Sequence, residues 1–344
     1  MAPTKNGRLL YNAIPDGYPQ PGKHVIYDDS ETIDLDNVPL NGGILFKILV
    51  LSIDPYLRNR MRDPSVRGFM PPFVVGTPLQ NGGVAQVVRS EDPTYAAGTY
   101  VSGSFLFQEY VVANASDVSG LRPVQTKGKL TLSAHTGVAG MPGATAYTGW
   151  KEYAKPKAGE VVFVTAGAGC VGATVIQLAK ADGLKVIGSA GSDDKVEYMK
   201  SVGADVVFNY KKTKVADVLQ KEGPIDIYWD NVGGDSLDAA LVNCNKHARF
   251  IECGMISVYN GGETYQMKNL NYIYQFEIQL HGFIVLTLVP KYPEFFTEFA
   301  DRVASGEIKY NEDVTIGLEN GGAALEAIQR GKNTGKSLIA VADY

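Results

Sequence analysis

Long hydrophobic runs, closely spaced cysteines and a surplus of positive charge are all missing from this chain of 344 residues. No stretch approaches the roughly 18 consecutive apolar residues of a membrane span. No apolar segment at the start of the chain resembles a signal peptide, which leads us to expect no membrane association. The cysteines, Cys170, Cys244 and Cys253, have no C-x-x-C spacing, and a reducing, cytoplasmic compartment is expected. A formal charge of -5 argues against nonspecific nucleic-acid binding, which needs a basic face.

What is present is ordinary globular composition, 45% hydrophobic and 20% charged, in a chain long enough for two domains. The most informative stretch is 161–195. A β-branched and aromatic run at 161–164 leads into small residues and glycines, then into Val171, Val175, Ile176 and Leu178 at helical spacing. Gly167, Gly169 and Gly172 fit G-x-G-x-x-G, so the turn can bring bare backbone N–H groups against a pyrophosphate at a helix N-terminus. A second strand, 185–189, follows at the length a βαβ unit requires. An NAD site wants an acid near the tip of that strand, to accept from the ribose 2′-OH. Here the tip is Ser189-Ala190-Gly191, with Lys195 four residues later. A neutral tip and a nearby lysine favour NADPH. Asp193 and Asp194 count against this unless they serve as N-cap and first-turn acids.

Residues 1–130 hold short β-type runs broken by Gly, Pro and Asn-Gly turns, with strong turn signals at Asn41-Gly42-Gly43 and Asn81-Gly82-Gly83. From about Met141 helices and strands alternate. Strands are expected near 161–165, 185–189, 205–208, 225–229, 248–253 and 279–284, enough for a doubly wound parallel sheet. A helix is expected at 292–304, then a strand at 313–318, a helix at 325–330 and a strand at 337–341. The last three are too few to form a domain alone and are expected to return to the N-terminal β domain. The predicted fold is therefore α/β: a Rossmann domain at 141–309, and a discontinuous, mainly antiparallel β domain at 1–140 and 310–344.

Several motifs together, in order, carry a resemblance. They are Ser52-Ile53-Asp54-Pro55-Tyr56-Leu57-Arg58, Met141-Pro142-Gly143-Ala144-Thr145-Ala146-Tyr147, the 166–172 loop, Asp230-Asn231-Val232-Gly233-Gly234, Cys253-Gly254-Met255-Ile256-Ser257 with Tyr259-Asn260, and Gly331-Lys332-Asn333-Thr334-Gly335-Lys336. The chain resembles the zinc-free medium-chain dehydrogenase/reductases over nearly its whole length. More narrowly, it is similar to the leukotriene/prostaglandin reductase and alkenal double-bond reductase branch. Zinc-dependent relatives hold metal through Cys and His. Here every cysteine lies at or beyond 170 and the histidines are scattered at 24, 135, 247 and 281, so no metal site is expected.

The resemblance implies a GroES-like fold for the β domain and a homodimer built by pairing edge strands of the nucleotide domains. It also implies that Lys195 and Tyr210 clasp the 2′-phosphate beside Gly191. Ala166, Gly167, Gly169, Cys170, Val171 and Gly172 would form the pyrophosphate turn. Thr145, Asn231, Cys253, Tyr259, Phe283, Ile284, Val285 and Asn333 would be further cofactor contacts. The plainer alternatives are a solvated helix lysine for Lys195, a small buried filler for Cys170, a core strand for residues 283–285, and a helix cap for Asp230-Asn231.

Without a Lewis acid, simple alcohol oxidation is the less expected chemistry. Hydride addition to the β-carbon of an α,β-unsaturated aldehyde or ketone needs only oxyanion stabilisation and a proton source. Tyr56 and Tyr259 are the candidate catalytic donors, with the nicotinamide ribose hydroxyl and water as alternatives. Tyrosine ionises near 10 in water and is suited to donating. Tyr56 and Arg58 are candidate substrate contacts, while Arg60 and Arg62 read better as packing and ion-pair residues. Phe69, Pro71, Pro72 and Phe73 form either an apolar wall or a loop staple. A quinone reductase and an NADPH-binding structural or partner protein are the competing readings.

Overall fold

Alternation of apolar strands with amphipathic helices builds the nucleotide unit, residues 141–311 with 334–336. The computed structural model describes residues 3–262 and 265–344. In chain order the unit contains α1 (Met141–Gly149), β1 (Val161–Val164), α2 (Cys170–Ala181), β2 (Lys185–Ala190), α3 (Asp193–Ser201) and β3 (Val206–Asn209). It continues with α4 (Val215–Glu222), β4 (Ile225–Asp230), α5 (Gly234–Val242), β5 (Cys244–Glu252) and β6 (Gln279–Gly282). The strands lie in the order β3-β2-β1-β4-β5-β6 and each neighbouring pair is parallel. This is the doubly wound order that puts a ligand site at the carboxyl ends, where the strand order reverses beside β1. Val162, Phe163, Val164, Ile227, Tyr228 and Trp229 are fully buried, as a sheet covered on both faces requires.

The other unit comprises 1–140, 312–333 and 337–344. Its main sheet runs Glu312–Ile316, Lys336–Ala340, Ile44–Ser52, Gln80–Ser90, Tyr100–Leu106 and Arg122–Pro123, with Tyr110–Ala113 also paired to Ile44–Ser52. The central pairs are antiparallel. The C-terminal strand pairs Leu338 with Ser52 and Ala340 with Val50, so the end of the chain does complete the β unit. Leu9, Ile44, Phe46, Phe105, Phe107, Leu325 and Ile339 share its core.

Four sequence expectations need correction. Asn81-Gly82-Gly83 is no turn: it lies inside the strand Gln80–Ser90, opposite Phe105, Ser104 and Gly103. A Cβ on Gly83 would stand 2.8 Å from the Val50 carbonyl oxygen, so the glycine serves close strand approach. The run at 279–284 is a strand only to Gly282, and Ile284 caps the short helix Val285–Leu288. Residues 283–285 are thus no core strand. The helix expected at 292–304 is split at Thr297 into the 3-10 turn Pro293–Phe296 and the helix Glu298–Ser305, with Phe295 and Phe299 both packed on Tyr147. The helix expected at 325–330 begins at Gly321. A Cβ there would meet Ile339 and Leu9 within 2.8 Å, so close packing demands a glycine where propensity alone reads a break.

Candidate active site

The β1–α2 turn is shaped by what its glycines exclude. Ala166 adopts a positive φ of 49°, and the Gly169 N–H donates to its carbonyl at 3.0 Å. A Cβ on Gly172 would lie 2.6 Å from the Ala166 oxygen, and one on Gly167 would lie 2.6 Å from the Met199 sulfur. Those two glycines are required by the protein's own packing. Gly169 differs: a Cβ there would meet only the Ala166 oxygen, at 3.4 Å. The protein leaves room at the middle glycine, where a pyrophosphate must approach the backbone. Helix α2 has Gly169 at its N-cap and no side-chain cap, which leaves N–H groups and the positive end of the helix dipole for an anion. Gly335 donates to the Ala168 carbonyl at 2.8 Å, so 334–336 closes one side of the turn. Asn333 immediately precedes that segment. Cys170 is half-buried at the first position of α2, more accessible than the buried filler expected of it.

At the tip of β2, a Cβ on Gly191 would touch the Tyr210 hydroxyl at 2.9 Å, so only glycine lets the tyrosine lie against the strand end. Tyr210 is 49% exposed, and Lys195 is the third residue of α3, in its first turn. Asp193, the residue that argued for NAD, is engaged elsewhere. It accepts from Asn209 Nδ2 at 3.0 Å and pairs with Lys212, and those two partners hold its carboxyl below the usual range. Ser192 is the N-cap, with both aspartates in the first turn. The tip is thus neutral, with donors around it, which suits a 2′-phosphate.

Asp230, at the end of β4, joins three loops. Its Oδ1 accepts from Thr165 Oγ1 at 3.1 Å and from the Val232 and Gly233 N–H groups, both at 2.8 Å. Its main-chain oxygen accepts from Cys253 at 2.9 Å and Gly254 at 3.2 Å. Asn231 is tied to Thr165 twice, through its own N–H at 2.9 Å and through Nδ2 at 2.7 Å. Ser257 Oγ donates to the Val232 carbonyl at 2.6 Å. The 253–259 loop is therefore bound to the nucleotide turn through Asp230. Tyr259 closes that loop, its hydroxyl 2.9 Å from where a Gly254 Cβ would stand. Cys253 is kept as a thiol, pushed up to about 12 by burial and by the acids beside it.

Thr145 is buried in α1 and donates to the Met141 carbonyl at 2.8 Å. Phe283 packs edge-on against Trp229, ring centroids 5.9 Å apart, while Ile284 is exposed.

The β unit carries its own polar cluster. Tyr56, at the N-cap of the short helix Leu57–Arg60, donates its hydroxyl proton to Asn81 Oδ1. Asn81 Nδ2 donates to the Ser52 carbonyl at 2.8 Å and to Asp54 Oδ2 at 2.9 Å, and Ser52 Oγ also donates to Asp54. Burial, then the Asp54 charge, pushes Tyr56 above the ordinary tyrosine range. Arg58 is buried and donates to the carbonyls of Gly17, Met61 and Pro15. Arg60 donates to Pro71 and Gln80 with Phe73 beneath it, and Arg62 to Val66, Asn59 and Met70. The three arginines clamp loops. Phe73 is core, whereas Phe69 is 50% exposed beside the Tyr56 ring. Sequence reasoning missed Asn81, hidden in a false turn signal, as well as Thr165 and Glu252. For Glu252 a signal existed: an acid ending the apolar run of β5.

A doubly wound sheet with an open glycine at its switch point, in one chain with an antiparallel β unit, is the architecture of a dinucleotide-binding protein. Residues 170–304 match the family described as zinc-binding dehydrogenase, and residues 9–121 match the N-terminal domain of oxidoreductase. A zinc-type alcohol dehydrogenase-like protein of Schizosaccharomyces pombe is 41% identical, over 95% of each chain. A 2-alkenal reductase (NADP(+)-dependent) of Nicotiana tabacum is 38% identical over 98% of each. The crystal structure of CurA from Vibrio vulnificus in complex with NADPH matches with a TM-score of 0.88 at 30% identity, covering 98% of this chain and 100% of that one. The chain belongs to the zinc-free medium-chain dehydrogenase/reductases, in the branch of alkenal and enone reductases. It is an enzyme of that class and its cofactor is NADPH, which the room at Gly169 and the uncapped start of α2 fit.

Proposed function

We propose that this enzyme reduces the C=C bond of α,β-unsaturated aldehydes and ketones. The carrying observation is that Tyr259 sits on a loop tied through Asp230 to the turn that receives the pyrophosphate, so a hydroxyl donor belongs to the same rigid edge as the cofactor's seat. Bound NADPH supplies a hydride to the β-carbon. Tyr259 donates a hydrogen bond to the carbonyl oxygen as charge gathers there, and the α-carbon takes its proton from that hydroxyl or from water. Lys195 and Tyr210 hold the 2′-phosphate. Gly169, Cys170, Val171 and Gly172 line the pyrophosphate, with Thr145, Asn231, Cys253, residues 283–285 and Asn333 completing the seat. Tyr56 is the proposed substrate contact of the β unit, and Arg58, which donates to the Pro15, Gly17 and Met61 carbonyls, braces the loops beside it. The tobacco relative's name supports this substrate class.

The test follows NADPH oxidation with benzylideneacetone, with a small enal, and with a quinone. Turnover of the enone and the enal supports the proposal. Turnover of the quinone alone, or no oxidation of the enone and the enal, overturns it. We also propose a cytoplasmic homodimer. β6 ends the sheet order, and Leu280 within it and Leu286 in the short helix that follows are 45% and 64% exposed, exposed apolar side chains at a bare edge of the kind an interface covers. Leu286→Lys should yield monomer in size-exclusion chromatography with light scattering.

A further inference from the structure

Two rungs on one face of the sheet stand together in β4 and β5. Tyr228 lies opposite Phe250, their rings 5.2 Å apart, and the next rung on that face sets Asp230 opposite Glu252. Asp230 Oδ2, both Glu252 carboxyl oxygens and the Tyr228 hydroxyl are buried and have no hydrogen-bond partner. Two ionised carboxylates cannot share such a place, and one proton between them resolves both the repulsion and the unsatisfied oxygens. The three donors on Asp230 Oδ1 hold the charge there, which leaves the proton on Glu252.

We propose that Glu252 is a positioning residue of the nucleotide site: as the acid it donates to Asp230 Oδ2, and through Asp230 it holds the 165–169 turn, the 231–234 turn and the 253–259 loop in the arrangement that binds NADPH. This rests on the NADPH site and not on the choice of alkene as substrate. Burial, then the Asp230 charge, pushes Glu252 up to about 9. The other titratable groups facing the pair are Tyr228 and Cys253. The thiol sits at about 12 and the phenol is raised well above its ordinary value, so neither ionises before Glu252 does. Above that point two charges face each other and the three loops lose their common tie.

The experiment titrates NADPH into the full-length protein from pH 7 to pH 9.5, following binding by calorimetry, alongside unfolding of the cofactor-free protein over the same range. Glu252→Gln keeps a neutral donor to Asp230 and has nothing to lose at high pH. At pH 7 its Kd should match wild type within about twofold. By pH 9.5 about three quarters of wild-type Glu252 is ionised, so the ratio of wild-type to variant Kd should rise about fourfold. Titration of Lys195 or Tyr210 affects both proteins and cancels in that ratio. Asp230→Asn is the second variant: its amide can donate to an ionised Glu252 while its oxygen keeps its three donors, so it too should lose the alkaline weakening. A constant ratio for whichever variants fold, with unfolding that weakens in parallel with wild type, overturns the proposal. Neither readout involves turnover, so that failure leaves the enone reading standing.

Discussion

The two polar clusters of this protein solve burial in opposite ways. In the β unit, Asn81 accepts from Tyr56 and donates to Ser52 and Asp54, while Ser52 also donates to Asp54. Donors and acceptors match within the cluster. In the nucleotide unit, Asp230 gathers donors on one oxygen while its other oxygen and Glu252 meet none unless a proton is added. The first cluster is a closed frame. The second depends on protonation, and it stands beside a turn whose middle glycine is left open. Catalytic and binding functions should therefore be more sensitive in the nucleotide unit, and plain stability more sensitive in the β unit.

The contrast is tested most severely by the two tyrosines. Tyr259→Phe should lower kcat on an enone by on the order of 10²-fold, with NADPH affinity within about twofold, because in the proposed mechanism it removes the oxyanion donor. Tyr56→Phe removes a proton already given to Asn81, and kcat should fall less than about tenfold. Steady-state kinetics on both variants decide it, and the reverse order would move proton delivery to Tyr56. Next in size is Asn81→Ala, which strips partners from Tyr56, the Ser52 carbonyl and Asp54 at once. Chemical denaturation should show a loss of about 2–3 kcal/mol. A stable variant would mean the cluster is wetter than a closed frame allows.

The glycines sharpen the same contrast within a single turn. Gly172→Ala forces a methyl against the Ala166 oxygen and should cost about 1–3 kcal/mol in stability. Gly169→Ala meets only an ordinary contact, so unfolding should be unchanged while Kd for NADPH rises roughly tenfold, about 1.4 kcal/mol. Calorimetry and denaturation on the pair separate packing from ligand space. Alkaline pH enters as well. A buried acid whose folded value is raised to about 9 keeps its proton when folded and loses it when unfolded. Stability therefore falls as pH climbs from the ordinary glutamate range toward 9, and the fall ends once the folded acid has ionised.

The doubly wound sheet was legible because apolar strands and helices alternate from 161 onward, and the return of the C-terminus because three leftover elements have no core of their own. Glycines misled where tertiary contact, not the turn, demanded them. Gly83 approaches Val50 across strands and Gly321 packs on Ile339, and neither contact has a local signal. Among the site residues, those set by chain-local geometry could be read directly: the three glycines of the turn and the neutral tip at Gly191. Asn81 and Thr165 act through partners far away in sequence, and Glu252 matters only because β5 pairs with β4 in a register that sets it beside Asp230. Strand register is a property of the assembled sheet.

The smallest expected effect lies at the opposite end of the cofactor seat. Asp193 and Lys212 are each 65% exposed along their side chains, so their pairing is weak and screened by salt. Asn209 Nδ2 would still hold the aspartate if the lysine were removed. Lys212→Ala should therefore reduce the preference for NADPH over NADH by less than about threefold, and raised ionic strength should erase even that. Lys195→Ala removes the proposed charge partner of the phosphate and should reduce the preference by at least about tenfold. The ratio of Kd values for the two nucleotides, measured at low and high salt, separates the cases. A loss at Lys212 equal to that at Lys195 would show that the phosphate seat extends onto the turn after β3, and that Asp193 is held aside by a residue that itself touches the ligand.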